Sequence, residues 1–520
     1  MPLFEPTSGT SHPMGIRLAR PTSVAVFLTL AVLIAFDSAG DIRHMALLLA
    51  AVLTAGYLAL NIGANDAANN IGTAVGSGAL TLTAALLLAA AGELAGAFLA
   101  GDPVSARLRE GLFQSDALGH GRVLARVLIA GMLAGALWLH SATLLRAPVS
   151  ATHSVVGGLI GAAIFANGWS TVQWDQVFSI ALAWLLTPLA AALIAAMVLF
   201  GIERTITYQP NLIGSARSRV PILIALLSLL FGDYFFTELA PDAWRTSEHH
   251  LLASLAAALA TFLVAQPLIH RMSQLIKNNR QGVNQLFTAP LILAAAFFAF
   301  AHGANDVANI AAPLTAAANI AVEGSSPERF VLPTWSLAIG ALGIAVGLAA
   351  YGSRLVRTVG SEITEIDKLR AFCIAFSAAL VVLAASHFGF PVSTTHILVG
   401  SIFGVGLLRE QIRLNERKTL EKVRKCYAGE EREALDLFLN RFRSATLPRK
   451  KEMLEGLYRQ HADVQLTRKE LKRINKLYHR QLVKRTLLRR IVALWILTIP
   501  ASAALGGLLY RLAGAFGAST

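Results

Sequence analysis

Apolar stretches of about 20 residues return along the whole chain, and that recurrence decides what solvent it can fold in. They lie near 23–36, 45–60, 78–101, 123–144, 177–202, 220–236, 251–269, 288–301, 334–352, 370–386 and 490–510. A hydrocarbon core of roughly 30 Å is crossed by about 20 helical residues, so runs of this length are read as transmembrane helices. Inside a bilayer every backbone polar group must be satisfied within the protein, which leaves helices or a closed barrel, and long unbroken apolar runs select helices. With 55% hydrophobic and 15% charged residues in 520, and a mean hydropathy of +0.57, an ordinary soluble domain is excluded. The run near 23–36 follows Arg17 and Arg20, as a signal peptide would. Asp37-Ser38-Ala39-Gly40 is a poor cleavage site, however, and a retained helix is expected. Cys373 lies in an apolar span and Cys426 in a charged segment, with no spacing that suggests a disulfide framework or metal site.

The formal charge of +14 suggests nucleic acid until it is located. Residues 408–490 hold 24 Lys and Arg against 11 Asp and Glu, a balance of +13, so the rest is nearly neutral. Basic charge confined to one segment of a membrane protein is an orientation signal, retained on the cytoplasmic side, and nucleic-acid binding is not expected. Apolar residues at helical spacing within it, Leu435 and Leu439 or Leu471, Ile474 and Tyr478, suggest amphipathic cytoplasmic helices. These would serve as a solvated regulatory or dimerising domain, or meet anionic lipid heads.

The chain is internally duplicated. Gly63-Ala64-Asn65-Asp66-Ala67-Ala68-Asn69 returns as Gly303-Ala304-Asn305-Asp306-Val307-Ala308-Asn309, an offset of 240 residues. Pro148-Val149-Ser150-Ala151-Thr152-His153 returns in the same order as Pro391-Val392-Ser393-Thr394-Thr395-His396, at an offset of 243. Each Pro-Val-Ser motif follows an apolar run and precedes a short one, 155–166 or 397–408, which suggests two re-entrant hairpins with the polar residues at their tips. With the basic segment inside, counting backwards puts 353–369, 271–287, 203–219 and the N-terminus inside as well. The outside loops 38–44, 102–122, 168–176, 240–249 and 323–333 then carry six Lys and Arg, against eleven in those inside segments, in line with the assignment. The helices bearing Asp66 and Asp306 then run in opposite directions. The expected fold is an all-α polytopic membrane protein of nine full crossings and two hairpins. Such an inverted-repeat plan with interrupted helices places its site at the repeat interface near the midplane, open to each side in turn.

A carboxylate at membrane depth costs about 2.5 to 3.5 kcal/mol even on lenient insertion scales, so Asp66 and Asp306 must be compensated. Asn65 and Asn69, Asn305 and Asn309 flank them, and neighbouring glycines would permit a helix break. That set offers side-chain and freed backbone oxygens to a hard cation such as sodium, through Asp66, Asn69, Asp306 and Asn309. Ordinary hydrogen bonding between helices is the blander reading of any one such Asn. Glu93, inside the span 78–101 and without an acidic counterpart, is a cation ligand, a proton carrier or a paired structural acid.

Ser150, Ala151, Thr152, Ser393, Thr394 and Thr395 follow a proline and open an apolar helix, where hydroxyls and free N–H groups make an anion-binding terminus or a plain N-cap. Two such termini would hold a tetrahedral oxyanion without Arg or Lys. Phosphate reconciles an anion with nearby carboxylates, because its protonated forms carry P–OH groups that can donate to Asp oxygens. Sulfate at neutral pH has none. His153 and His396 are expected as structural hydrogen-bonders rather than proton relays. His302 has Ile62 as its counterpart and is given no role. No nucleophile and base pair or closed metal-ligand set suggests an enzyme, and no cofactor is expected beyond the coupling ion.

At these two motif pairs, with Gly72-Thr73-Ala74-Val75-Gly76-Ser77-Gly78 after the first, the chain resembles the inorganic phosphate transporter (PiT) family over nearly all of 45–410. The resemblance implies phosphate symport by an elevator-like or rocking movement, with Asn65, Asp66, Asn305, Asp306 and the hairpin Ser and Thr residues lining the substrate and cation sites. The first motif is more like the sodium-coupled than the bacterial proton-coupled branch. Expected divisions are a cytoplasmic tail 1–22, an extra helix 23–44, a first repeat 45–202, linking helices 203–287, a second repeat 288–407, a basic domain 408–489 and a last helix 490–520. The expected setting is a bacterial inner membrane, with lipid and inorganic phosphate as partners and a homodimer as an open arrangement. A sulfate permease on the same scaffold and a phosphate-sensing receptor are the alternatives.

Overall fold

The computed structural model describes residues 14–39, 44–113, 118, 121–145, 147–238, 247–324, 332–352, 367–424 and 485–517. Among them only helices are long elements, the one bridge of strand type pairing Phe113 with Val172. In chain order the helices are α1 Met14–Ala39, α2 Met45–Gly76, α3 Leu82–Ala100, α4 Asp102–Gly111, α5 Arg122–Leu144, α6 Ala151–Asn167, α7 Trp174–Ile202, α8 Leu212–Glu238, α9 Ser247–Gln274 and α10 Arg280–Leu286. They continue as α11 Thr288–Asp306, α12 Ala308–Glu323, α13 Thr334–Tyr351, α14 Lys368–His387, α15 Thr394–Arg424 and α16 Arg485–Gly517. Eleven spans are long and apolar enough to cross a bilayer, one for each apolar stretch of the sequence. Large apolar side chains on α7 and α9, such as Leu185, Leu189, Leu252 and Leu263, stand exposed, as lipid-facing residues do. The chain is a multi-pass integral membrane protein.

The element order repeats. A long motif helix, a second span, a third span, a helix opened by Pro-Val-Ser and a closing span occur as α2, α3, α5, α6, α7 and again as α11–α12, α13, α14, α15, α16. The two sets exchange partners: α2 packs on α13 and α11 on α3, while α7 packs on α15 and α16 on α6. Glycines make the first exchange, because a β-carbon on Gly63 would stand 1.9 Å from the Ile344 carbonyl oxygen and one on Gly96 would stand 1.9 Å from that of Phe300.

The interrupted helices expected at both motifs are not found in both. The first motif lies inside α2, which is continuous for 32 residues. Its Gly63 serves close helix approach, and no break is needed there. In the second half only Val307 separates α11 from α12, with helical dihedrals of −59° and −31°. The halves differ at Pro313, which has no N–H for the Asn309 carbonyl, where the first half has Thr73.

The helix after the second Pro-Val-Ser is also longer than the short run 397–408 expected there. α15 continues for 31 residues to Arg424, crossing the boundary drawn at 408, because the charged residues after 408 remain good helix formers once out of the apolar stretch. The amphipathic helices expected around Leu435 and Leu471, and Cys426, fall outside the described residues.

Candidate functional site

Each Pro-Val-Ser segment is extended backbone that a single asparagine of its own half ties down. Asn65 donates to Thr143 Oγ1 at 3.0 Å and to the Ala147 carbonyl at 3.3 Å, and accepts from Val149 N at 3.3 Å. Asn305 repeats the pattern, donating to Ser386 Oγ and the Phe390 carbonyl, both at 3.1 Å, and accepting from Val392 N at 3.2 Å. A proline-led segment has few backbone donors, so a side-chain amide supplies what a helix or strand partner would. Both asparagines are fully buried. They tie down the Pro-Val-Ser segments, and whatever they offer to a ligand comes after that.

The helices that the two Pro-Val-Ser segments open begin against each other. Ser150 and Ser393 cap α6 and α15, accepting from His153 N at 3.1 Å and His396 N at 3.2 Å. Thr152 Oγ1 donates to the Val392 carbonyl at 3.0 Å, and Thr395 Oγ1 lies 3.3 Å from the Val149 carbonyl, so each half reaches into the other. Two helix N-termini with their orphan N–H groups therefore meet in one place. Ala151 and Thr394, the first helical residues, are buried there too.

The carboxylates face this junction. Asp66 Oδ1 accepts from Asn69 Nδ2 at 2.7 Å and from Thr395 Oγ1 at 3.1 Å, and Asn69 Nδ2 also lies 2.7 Å from Thr395 Oγ1. Asn309 Nδ2 reaches Thr152 Oγ1 at 3.3 Å, the matching cross-half bond. Asp66 Oδ2, Asp306 Oδ1 and Asn309 Oδ1 have no hydrogen-bond partner among the described residues, although both aspartates are 1% exposed. Buried oxygens left open in this way are costly unless a ligand uses them. Oxygen-only donors of this type suit a hard cation.

One residue at the centre was not singled out by sequence. His302 Nε2 lies 3.2 Å from Asp306 Oδ2 and 3.7 Å from Asp66 Oδ2, and its Nδ1 lies 3.3 Å from Glu93 Oε1. Asp66, His302 and Asp306 each bring a ligand atom within 4.8 Å of the others. Glu93 in turn accepts from Asn70 Nδ2. The signal was the i,i+4 spacing of His302 and Asp306, which puts imidazole and carboxylate on one helix face.

This branch belongs to one half only. The repeat offset pairs Asn70 with Ile310 and His302 with Ile62. The exchanged packing pairs Glu93, whose carbonyl faces Gly303, with Ile344, whose carbonyl faces Gly63. Three buried polar groups thus stand opposite three buried isoleucines.

The expected hydrogen-bonding role is not what the His153 ring does, and at His396 it is not what Nε2 does. Neither ring nitrogen of His153, nor Nε2 of His396, has a partner among the described residues, and the rings are packed instead against Trp184, Trp495 and each other.

Residues 62–506 match a family model described as the phosphate transporter family. A candidate phosphate permease of Helicobacter pylori strain J99 is 42% identical over 475 residues, 89% of each chain. A candidate phosphate permease of Pyrococcus furiosus is 37% identical over 363 residues, 70% of this chain and 88% of that one. A solved structure described as the sodium-dependent phosphate transporter superposes with a TM-score of 0.73 at 27% identity, over 90% of this chain and 99% of its own.

Proposed function

The chain belongs to the phosphate transporter family, and from that premise we propose that it is a secondary active symporter carrying inorganic phosphate with sodium or protons by alternating access. It is a transporter and not an enzyme. The observation that carries the reading is the meeting of the α6 and α15 N-termini beside two buried aspartates with open oxygens. The N-termini supply partial positive charge to a tetrahedral anion, and a P–OH group donates to an aspartate oxygen. Asp66, Asn69, Asp306 and Asn309 supply oxygens to the co-transported cation, while Asn65 and Asn305 hold the hairpins. Ser150, Thr152, Ser393, Thr394 and Thr395 line the anion side with Ala151. The two sets of helices, α2 to α7 and α11 to α16, are inverted about this point, with the basic segment on the cytoplasmic side of a bacterial inner membrane.

Coupling is tested by labelled phosphate uptake into proteoliposomes under an imposed sodium gradient, and separately a proton gradient, at fixed membrane potential. Accumulation with sodium alone is expected, in keeping with the structure at TM-score 0.73 whose description names sodium. Accumulation with protons alone would transfer the coupling to Asp66, Asp306 or Glu93 as proton carriers. Sulfate accumulation untouched by excess phosphate would replace the substrate.

We assign the coupling ion's energetic control to the one-sided branch of Asn70, Glu93 and His302. Glu93→Gln replaces the carboxyl 3.3 Å from His302 by an amide of nearly the same shape. The expected result is a sodium concentration for half-maximal uptake raised about tenfold, equivalent to about 1.4 kcal/mol, with phosphate affinity at saturating sodium little changed. An unaltered sodium activation curve would remove Glu93 from the coupling path.

A further inference from the structure

Four rings from four helices run in contact through the interior beside the site. Trp184 of α7 meets His153 of α6 with ring centroids 3.9 Å apart, His153 meets His396 of α15 at 4.5 Å, and His396 meets Trp495 of α16 at 3.7 Å. The two imidazoles are 5% and 3% exposed, so this is interior packing and not a surface contact. Among the described residues, Trp184 Nε1 is in use, donating to the Pro391 carbonyl at 2.8 Å, whereas both nitrogens of His153, Nε2 of His396 and Nε1 of Trp495 have no hydrogen-bond partner. Polar atoms left unused while the faces and edges are in contact indicate that the rings are there for their shape and π surfaces.

The place of the stack gives it a consequence for transport. His153 and His396 sit in the first turns of α6 and α15, three residues past the capping serines, and their own N–H groups are the ones those serines hold. The His153–His396 contact is edge to face, with planes 83° apart, and it is the direct ring link between the two hairpins. Around it, Thr152 reaches Val392 of the other half, Thr395 lies against Val149, and Trp184 bonds Pro391. The ring contact and these hydrogen bonds together span the junction between the two helix N-termini.

We propose that His153 and His396 are positioning residues for phosphate, acting through ring contact alone. The stack keeps the α6 and α15 N-termini at the spacing of one tetrahedral anion and makes the two hairpins move as one body. This rests on the reading that phosphate lies between those termini. Neither imidazole touches the anion or carries a proton in transport. Their effect is on how much binding energy a preorganised pair of N-termini retains, since termini free to separate must be ordered when the anion arrives.

The test compares rings with nitrogens. The full chain, purified in detergent and reconstituted, is measured for equilibrium binding of inorganic phosphate, for uptake, and for thermal unfolding. The proteins are the unsubstituted chain and the variants His153→Phe, His396→Phe, His153→Ala, His396→Ala and the double Ala variant. Phenylalanine keeps a ring in place and removes both nitrogens, so both Phe variants are expected to bind phosphate as the unsubstituted chain does, with an unchanged proton dependence of uptake. Each Ala variant is expected to weaken phosphate binding about tenfold, and the double variant to weaken it no further, because both changes break one contact. A folded Phe variant with tenfold weaker binding or a changed proton dependence would overturn the inference and give the nitrogens a direct role. Ala variants that bind normally, or a double variant whose losses multiply, would overturn it as well. Should the Ala variants fail to fold, the Phe variants decide alone. An unsubstituted chain that transports phosphate but is protected from proteolysis at α6 and α15 by sodium only would sink the placement of the anion between the termini, a failure separate from that of the stack.

Discussion

Asp306→Asn is expected to reduce coupled phosphate uptake at least about a hundredfold while the protein still inserts, and Asp66→Asn to do the same, because each variant removes a charge that only transport requires. Asparagine has nearly the shape of aspartate and is cheaper to hold at membrane depth, so folding has no reason to suffer. The site does. Asp306 keeps Oδ1 open and Oδ2 3.2 Å from His302, so an amide there replaces an acceptor by an N–H₂ group facing imidazole or cation. At Asp66 the amide oxygen can still accept from Asn69 at 2.7 Å and Thr395 at 3.1 Å, but an N–H₂ group takes the place of Oδ2, the oxygen without a partner, and cannot coordinate a cation. Initial rates of labelled phosphate uptake, divided by the amount of protein in the membrane, give the answer. Near-normal rates in both variants would remove the paired aspartates from the transport site.

The parts of this molecule that sequence made legible are those written in local composition and in repetition. Every apolar run became a helix, because in lipid a long apolar segment has no other way to satisfy its backbone. Duplication brought Asn65, Asp66, Asn69 and their equivalents forward, along with Ser150, Thr152, Ser393 and Thr395, and the fold gathers them around one junction. What sequence could not supply was which half each element would meet. An offset of 240 residues equates Asn65 with Asn305, but it does not tell that each would serve its own hairpin while Asn69 and Asn309 would serve the other half's. The same exchange of partners hid His302. Its importance comes from Glu93 and Asp66, which lie on α3 and α2 and reach it because α11 packs against those helices as well as against α14 of its own half. The glycines near the motifs were legible as special residues and misread in kind: permission to break a helix and permission for two helices to touch are both written as Gly.

That second use of glycine leads to the largest expected effect on folding. Gly96 and Gly303 lie on opposite faces of the same α3–α11 contact. A β-carbon at 96 would stand 1.9 Å from the Phe300 carbonyl oxygen and 2.9 Å from Ala304 N, and one at 303 would stand 2.2 Å from the Glu93 carbonyl oxygen and 2.6 Å from its Cα. The obstructing atoms are backbone, with no rotamer to change, so α3 and α11 must separate. Gly96→Val and Gly303→Val are each expected to cost about 3 kcal/mol or more, at or beyond the upper range of overpacking, and to leave little folded protein in detergent. Gly96→Ala and Gly303→Ala are the graded versions, expected to lower the unfolding temperature while some protein still folds. The control is Gly72→Ala in α2, where nothing lies within 4 Å of the added carbon and helix propensity favours alanine by roughly 1 kcal/mol. Thermal unfolding in detergent, read as the loss of a monodisperse peak, distinguishes them. The surviving Ala variants carry a second consequence, because the same contact holds Glu93 at 3.3 Å from His302. A displaced α3 widens that gap, so Gly303→Ala should raise the sodium requirement for uptake in the direction of Glu93→Gln, even in the fraction that folds. Normal stability in Gly96→Val would mean that α3 and α11 do not approach this closely in the membrane, and the one-sided branch of Glu93 and His302 would fall with their contact.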